Sequence, residues 1–237
     1  SLYREGKLND VQSQFFEPKS PEALYNIEND PHEINNLSNS ENHKEILLLM
    51  RGDLQERIKE MPDLSFYPEP YLLDNAIKNP TAFGKDNKTA IAELIAIADL
   101  NLAPYDFVEG KIKLALKDKN PWKRYWGLIV CSSFGIQAKG LVPQIQKILQ
   151  TDEINLVRNR AAEYLMLNKI SFDQKKLKPL LENSSSETEA NLILNTICLI
   201  KEYQPEIKFN FSKEIFPREW HDEPNDLVNR RLEYLMN

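Results

Sequence analysis

The sequence predicts a mainly α-helical protein in which helix pairs stack into an α-α superhelix, preceded by a short tail of mixed α/β structure. Three observations predict this fold class. Only 7 of the 237 residues are glycine, whereas turn-rich β folds use glycine freely. Apolar residues recur at spacings of three and four over residues 41–61, as they do on helix faces. The tetrapeptide Glu-Tyr-Leu-Met occurs at 163–166 and again at 233–236, which indicates an internal repeat.

The first region, residues 1–61, contains one long predicted helix and two shorter elements. Residues 2–11 predict a short helix, and alternating apolar and polar residues at 24–27 predict a short strand. Residues 41–61 predict a longer helix, which Pro62 ends. The apolar stripe of that helix comprises Ile46, Leu47, Met50, Leu54 and Ile58.

A motif within this region carries a family resemblance. Its residues are Leu24, Tyr25, Asn26, Ile27, Asp30, Pro31, Glu33, Asn36 and Leu37. Their order resembles the pattern L-Y-D-L-x-x-D-P-x-E-x-x-N-L in the closing segment of bacterial sulfatases of the arylsulfatase/alkaline-phosphatase superfamily, including N-sulfoglucosamine sulfohydrolase-like members. Asn26 departs from the pattern, because the family usually has aspartate there.

The resemblance implies a structural role and a location. It implies that residues 1–61 supply a strand and a helix to a subdomain packed beside the catalytic domain of a periplasmic or secreted sulfatase that acts on sulfated glycans. Separated from that domain, the region is expected to expose apolar side chains such as Phe15, Phe16 and Leu24.

The catalytic motif of that family is absent from the sequence. Its members oxidise a cysteine or serine in a Cys-x-Pro-Ser-Arg-like motif to formylglycine and hold calcium with Asp and Asn side chains. Neither Cys131 nor Cys198 is followed by the proline and arginine of this motif. We therefore expect no catalytic residue in this chain, which should be inactive alone. Formylglycine and calcium are expected only in a catalytic domain outside it.

No metal or cofactor site is predicted within the chain. His32, His43 and His221 stand at no helical spacing from one another or from a cysteine. Residues 220–223, Trp-His-Asp-Glu, permit a metal site or a surface turn, and the turn is favoured. No glycine-rich phosphate loop occurs, and no apolar run approaches the ~20 residues of a membrane span.

Residues 62–84 predict a proline-rich connection between the tail and the repeats. Four prolines, Pro62, Pro68, Pro70 and Pro80, fall within it. Its large apolar side chains are too numerous for a free linker. We therefore expect this stretch to pack against the region that follows.

Residues 85–237 predict five helix pairs with a period of about 34 residues. The second helices of the pairs begin near Lys88, Trp122, Val157, Glu189 and Leu227. Residues 157–162, Val-Arg-Asn-Arg-Ala-Ala, resemble the second helix of HEAT repeats. One pair cannot bury its apolar face alone, so neighbouring pairs stack into a common core. Gly127 and Ala162 are expected where adjacent helices approach closely.

The charges point to one candidate binding surface. Residues 85–182 carry 16 basic and 11 acidic side chains, a net of +5, although the whole chain carries −6. Lys123, Arg124, Arg158 and Arg160 fall at equivalent positions of successive repeats and are interleaved with Trp122, Tyr125 and Trp126. Such a cluster suits a sulfated polysaccharide. The alternative is that the aromatic residues are core and the lysines form a solvated helix face.

Two functions remain open from the sequence. The first is the non-catalytic C-terminal part of a sulfatase, serving as a structural cap or a docking repeat domain. The alternative is an independent HEAT-like scaffold that binds other proteins. The expected partners are the catalytic domain of the same sulfatase, a sulfated polysaccharide and a second copy of the chain. Nucleic acid is not expected.

Overall fold

The computed structural model describes residues 2–172, 174–209, 212–221 and 226–236. The chain divides into two compact units, Ser1–Met61 and Pro62–Asn237. The structure is mainly helical, as predicted, and the described residues contain no β-strand.

Twelve α-helices occur among the described residues. They are α1 (Asp10–Ser13), α2 (Lys44–Glu60), α3 (Glu69–Asn75), α4 (Pro80–Asp86), α5 (Lys88–Ala98), α6 (Tyr105–Ala115), α7 (Pro121–Phe134), α8 (Val142–Thr151), α9 (Asn155–Leu167), α10 (Leu177–Glu182), α11 (Glu187–Tyr203) and α12 (Leu227–Met236). Short 3-10 helices span Glu41–His43, Leu64–Phe66, Asp99–Leu102, Gly135–Leu141, Gln174–Lys176, Lys213–Ile215 and Arg218–Trp220.

The first unit has one long helix. The predicted helix over 41–61 is confirmed, as a 3-10 turn that runs into α2. The shorter helix predicted over 2–11 is displaced to α1, because Asn9 starts it with a capping box that includes Gln12. In α2 only Leu47 is buried, so most of the predicted apolar stripe has no core to pack on.

The strand predicted at 24–27 is not formed. The Leu24 carbonyl accepts a hydrogen bond from the Leu37 amide at 2.7 Å, and the Leu24 amide donates to Asn36 Oδ1 at 3.0 Å. One backbone hydrogen bond makes no ladder, and the described residues contain no β-strand. The alternation in the sequence therefore yields an extended connection instead of a sheet.

The proline-rich stretch over 62–84 is helical and packs within the second unit, against α7. The Trp126 Nε1 donates to the Phe66 carbonyl at 2.8 Å, and the Tyr71 and Trp122 ring centroids lie 4.8 Å apart. Pro70 and Pro80 stand in the first turns of α3 and α4, where a missing amide hydrogen costs nothing. The predicted packing against the following region is confirmed.

The second helices of the pairs form a continuous row. α5 contacts α7, α7 contacts α9, α9 contacts α11, and α11 contacts α12. α6, α8 and α10 pack against this row as the first helices of three pairs. Before α12 the described residues contain two 3-10 turns in place of a first helix. The first four second helices thus begin at intervals close to the predicted period of about 34 residues. The fifth, α12, begins later and has no helical partner before it among the described residues.

Close packing between helices depends on two small residues. A Cβ on Gly127 would lie 3.1 Å from Leu116 Cδ2 and 3.3 Å from Ala115 Cβ. Ala162 is completely buried in α9. Both residues therefore lie where neighbouring helices approach closely, as the sequence predicts.

One helical run, Pro121–Thr151, is long and apolar enough to cross a membrane by length and composition alone. Gly135 interrupts it with a backbone φ of +55°, a conformation that glycine adopts readily. The run therefore consists of α7, a 3-10 turn and α8. Leu128 and Ile145, one on each side of the turn, are fully buried in the fold.

Candidate functional site

Lys123 is held by two acidic residues. It lies in the first turn of α7, which the Asn120 side chain caps by accepting a bond from the Trp122 amide at 2.9 Å. The Lys123 ammonium stands 2.9 Å from Glu93 and 3.4 Å from Asp118. The hydrogen bond with Glu93 raises the pKa of Lys123. The charge is thus neutralised within the chain.

Arg124 connects two loops of neighbouring pairs. Its Nε and one terminal nitrogen donate to the two oxygens of Asp152 at 2.6 and 2.8 Å. The other terminal nitrogen donates to the carbonyls of Asp118 and Lys119 at 2.8 and 3.1 Å. Only 16% of the Arg124 side chain and 4% of the Asp152 side chain are exposed. This bidentate pair fixes the loop before α7 to the loop before α9.

Arg158 closes the end of a helix. Its Nε donates to the Leu149 carbonyl at 3.0 Å, and Leu149 lies in the last turn of α8. Carbonyls in a last helical turn lack an intrahelical partner, and a cation beside them is favourable. The contact therefore joins α9 to α8.

Arg160 belongs to a buried polar ladder across three second helices. It donates to both oxygens of Glu163 at 2.9 and 2.7 Å and to the Tyr125 hydroxyl of α7 at 2.8 Å. On α11, the Thr196 hydroxyl donates to Glu163 at 3.1 Å and accepts from Asn159 at 2.9 Å. Burial, the largest single influence, acts to lower the pKa of Arg160, but the charges and hydrogen bonds of Glu163 and Tyr125 together raise that pKa.

The four basic residues predicted as a docking cluster therefore all have partners inside the chain. Trp122 and Tyr125 are buried, so two of the aromatic residues between them belong to the core. The structure brings these cations to helix junctions and does not collect them into one open cleft. Whether any of them also meets an anion stays a prediction.

A different set of lysines faces solvent, on the first helices of the pairs and in the turns beside them. Residues 111–113, 144–146 and 176–178 read Lys-Ile-Lys, Gln-Ile-Gln and Lys-Leu-Lys. The central residues, Ile112, Ile145 and Leu177, are fully buried. The repeated flanking polar residues were the signal in the sequence that could have located this surface. We call the exposed lysines of this layer the lysine face: Lys111, Lys113, Lys117, Lys139, Lys147, Lys175, Lys176 and Lys178.

The motif that carries the family resemblance forms a self-contained loop. The Asp30 carboxylate accepts from the amides of Ile34 and Asn35 at 3.1 and 2.7 Å. These bonds, that of Asn35 first, lower the pKa of Asp30. The Asn36 side chain accepts from the amides of Leu24 and Ser38, each at 3.0 Å. The polar residues of the motif therefore shape the backbone.

Apolar side chains on the first unit remain exposed. On α2 they are Ile46, Leu48, Leu49, Met50 and Leu54. Phe15 and Phe16, which follow α1, are also exposed as predicted, whereas Leu24 is half-buried. Ile46, Leu49, Met50 and Leu54 share one side of the helix, whereas Leu48 lies on the opposite side. We call these four side chains the α2 apolar face. It is an unpartnered helix surface of the kind that binds another protein surface.

The described residues contain no group of three histidine, cysteine or acidic side chains placed to hold a metal ion. His43 shares a hydrogen bond with the Ser40 hydroxyl at 2.9 Å. Part of the 220–223 turn lies outside the described residues. Both cysteines are free thiols, and burial raises the pKa of Cys131 to about 12. Such a thiol is a poor nucleophile at neutral pH.

Comparison of the chain with protein-family models, curated proteins and solved structures finds no match. The sulfatase resemblance therefore depends on the motif residues themselves.

Proposed function

We propose that this chain is the non-catalytic C-terminal part of a sulfatase, in which residues 1–61 complete the subdomain beside the catalytic domain. The second unit then serves as a HEAT-like α-α superhelix that caps the enzyme or docks a partner. The observation that carries this proposal is the α2 apolar face, which has no core of its own.

The size of that exposed face argues for a permanent partner. Each of its four residues is between 50% and 64% exposed. Fully burying one such side chain stabilises a protein by about 1.5–3 kcal/mol, so covering the half that remains exposed contributes ~1 kcal/mol for each. An isolated helix of this length is marginal in water. A surface that covers this face would therefore stabilise helix α2 by several kcal/mol.

The motif loop supports a structural role for the tail. Asp30 and Asn36 accept hydrogen bonds from nearby backbone amides, so their oxygen atoms are occupied in holding the chain's path. Hydrolysis of a sulfate ester then belongs to a catalytic domain outside this chain, where calcium and formylglycine would reside. The proposal places the protein in the periplasm or outside the cell.

An independent scaffold is the second candidate. The row of second helices in residues 62–237 has its own buried core, which includes Leu128, Val157 and Ile193. Repeat arrays with a continuous core fold without an enzyme beside them. Under this alternative the second unit alone would bind a protein partner.

The coding sequence upstream decides between the two. The sulfatase proposal requires a Cys-x-Pro-Ser-Arg-like motif several hundred codons earlier in the same frame, and a frame without it would end the proposal. Given such a domain, a tagged version should co-purify with this chain. Leu49→Glu with Leu54→Glu should abolish co-purification, because two carboxylates would enter an apolar interface. The matched control is Ile77→Glu with Ile136→Glu, exposed apolar positions of the second unit, which should leave co-purification unchanged.

A further inference from the structure

We infer that the lysine face is a binding surface for a linear anionic polysaccharide. The inference does not depend on the sulfatase proposal, because it concerns the second unit alone. It also replaces the predicted docking residues with different ones, on the opposite helices of the pairs.

The argument begins with how the fold distributes charge. On the second helices Lys123, Arg124 and Arg160 each have an acidic partner within 3 Å. On the first helices and the turn before α8, residues 105–117, 135–151 and 174–182, there are eight lysines and three acidic residues, a net of +5. Of these eight lysines, only Lys178 lies within salt-bridge distance of a described acidic residue, at 3.2 Å from Glu182. Lys175 has a further contact of its own. The basic excess is therefore concentrated in this layer.

The repeat aligns the lysines of this face. Ile112, Ile145 and Leu177 are equivalent buried positions. The lysines that flank Ile112 and Leu177 are exposed, and the glutamines that flank Ile145 are half-buried. The second helices of these three pairs contact one another in turn. Packed helices lie ~8–10 Å apart, and the face from the first of these pairs to the third therefore extends over roughly 16–20 Å. The Gln144 side chain donates to the Lys113 carbonyl at 3.3 Å, which ties α8 to α6. A linear ligand lying across the helices would meet lysines, then glutamines, then lysines.

This alternation favours a polysaccharide over nucleic acid. Glutamine amides bind neutral hydroxyl groups, which a sugar chain presents between its sulfate or carboxylate groups. Double-stranded DNA instead presents one charge per ~1.7 Å. Arginine is the preferred residue for phosphate and nucleic-acid recognition, and residues 105–117, 135–151 and 174–182 contain none. The one strongly exposed aromatic ring of this layer, Phe107 at 80%, is too little for a base-stacking platform.

The test compares two variants with the same change in charge. Lys111→Gln, Lys113→Gln, Lys147→Gln and Lys176→Gln together remove four exposed lysines from the face. The control replaces Lys44, Lys59, Lys85 and Lys88 with glutamine, and these are also exposed but lie elsewhere. Circular dichroism establishes that both variants are folded.

Heparin is the probe, with binding measured by calorimetry and by salt elution from a heparin column. An exposed charge pair contributes about a factor of three, so the four-lysine variant should bind roughly eighty-fold more weakly, while the control should bind like the unaltered chain. Equal affinity of the two variants would overturn the inference, as would a failure of the unaltered chain to bind. Duplex DNA is titrated in parallel, and tighter binding to DNA than to heparin would reject the polysaccharide. The co-purification test of the α2 apolar face concerns the first unit, and the heparin test concerns the second. The sulfatase proposal and the polysaccharide proposal can therefore fail separately.

Discussion

Replacing two helical glycines with alanine isolates the close approach of α6 and α7. Gly127 lies inside α7 and Gly110 inside α6, so each Gly→Ala change gains the same helix propensity of about 1 kcal/mol. A methyl group on Gly127 would lie 3.1 Å from Leu116 Cδ2, whereas one on Gly110 would meet nothing within 4 Å. The propensity gain cancels in the difference between the two variants, which leaves the packing contribution alone.

The size of that contribution follows from the room available. Leu116 and Ala115 are buried, and Ala115 is a backbone-anchored methyl that cannot rotate away. Inserting a methyl into such a core costs about 1–3 kcal/mol. We therefore expect Gly110→Ala to raise the free energy of unfolding of the second unit by up to ~1 kcal/mol. The free energy of unfolding of Gly127→Ala should be about 1–3 kcal/mol lower than that of Gly110→Ala. In melting temperature the difference is roughly 2–12 °C, at ~2–4 °C per kcal/mol.

The assay is urea unfolding followed by tryptophan fluorescence. All three tryptophans, at 122, 126 and 220, lie in the second unit, so the signal reports on that unit without interference from the first. Equal unfolding midpoints for the two variants would show that α6 and α7 do not approach as closely as the structure has them. A midpoint for Gly110→Ala below that of the unaltered chain would contradict the exposure of that helix face.

Three further outcomes are expected. Arg124→Met should lower the free energy of unfolding by about 2–4 kcal/mol, because the buried Asp152 carboxylate loses its partner, whereas Lys178→Met at an exposed pair should change it by under ~0.5 kcal/mol; similar losses in urea unfolding would refute this difference. The pKa of Asp30 is lowered by backbone hydrogen bonds, so its stabilising effect is complete above the unfolded pKa and disappears as pH falls through the folded pKa. An NMR titration of Asp30 should give a pKa below the ordinary aspartate value of 3.8. A pKa at or above that value would contradict the hydrogen bonds from the amides of Ile34 and Asn35. Iodoacetamide should modify the half-buried Cys198 before the buried Cys131, and mass spectrometry showing the reverse order would contradict their burial.

Much of the fold is predictable from local patterns. Apolar spacing located α2, because a helix that buries one face must repeat its apolar residues every three to four positions. The internal repeat located α7, α9 and α11. The duplicated Glu-Tyr-Leu-Met predicted the stacking of α9 and α12 in one row. The strand at 24–27 was wrong, since alternation alone cannot supply the neighbouring strand that a ladder needs. The proline-rich stretch packs against the region that follows, as predicted, but its composition did not indicate that Pro70 and Pro80 stand in the first turns of helices α3 and α4.

The candidate site was the least predictable part. Lys113 and Lys123 both lie in the basic middle of the chain, and composition does not show which of them has an acidic partner. The structure does, because Glu93 and Asp118 lie beside Lys123 while no acidic residue of the described chain pairs with Lys113. A partner 30 residues away along the chain becomes a neighbour only when helix pairs stack.

By itself, the sequence determined the helical class, the period of the repeat and the missing catalytic motif. These depend on residue order within a few turns of helix, or on residues that are simply not there. Only the tertiary structure decided which cations are neutralised, which face solvent, and that α2 has no core to cover it. Those properties depend on distances between residues far apart in the chain, and burial and charge pairing are set by such distances.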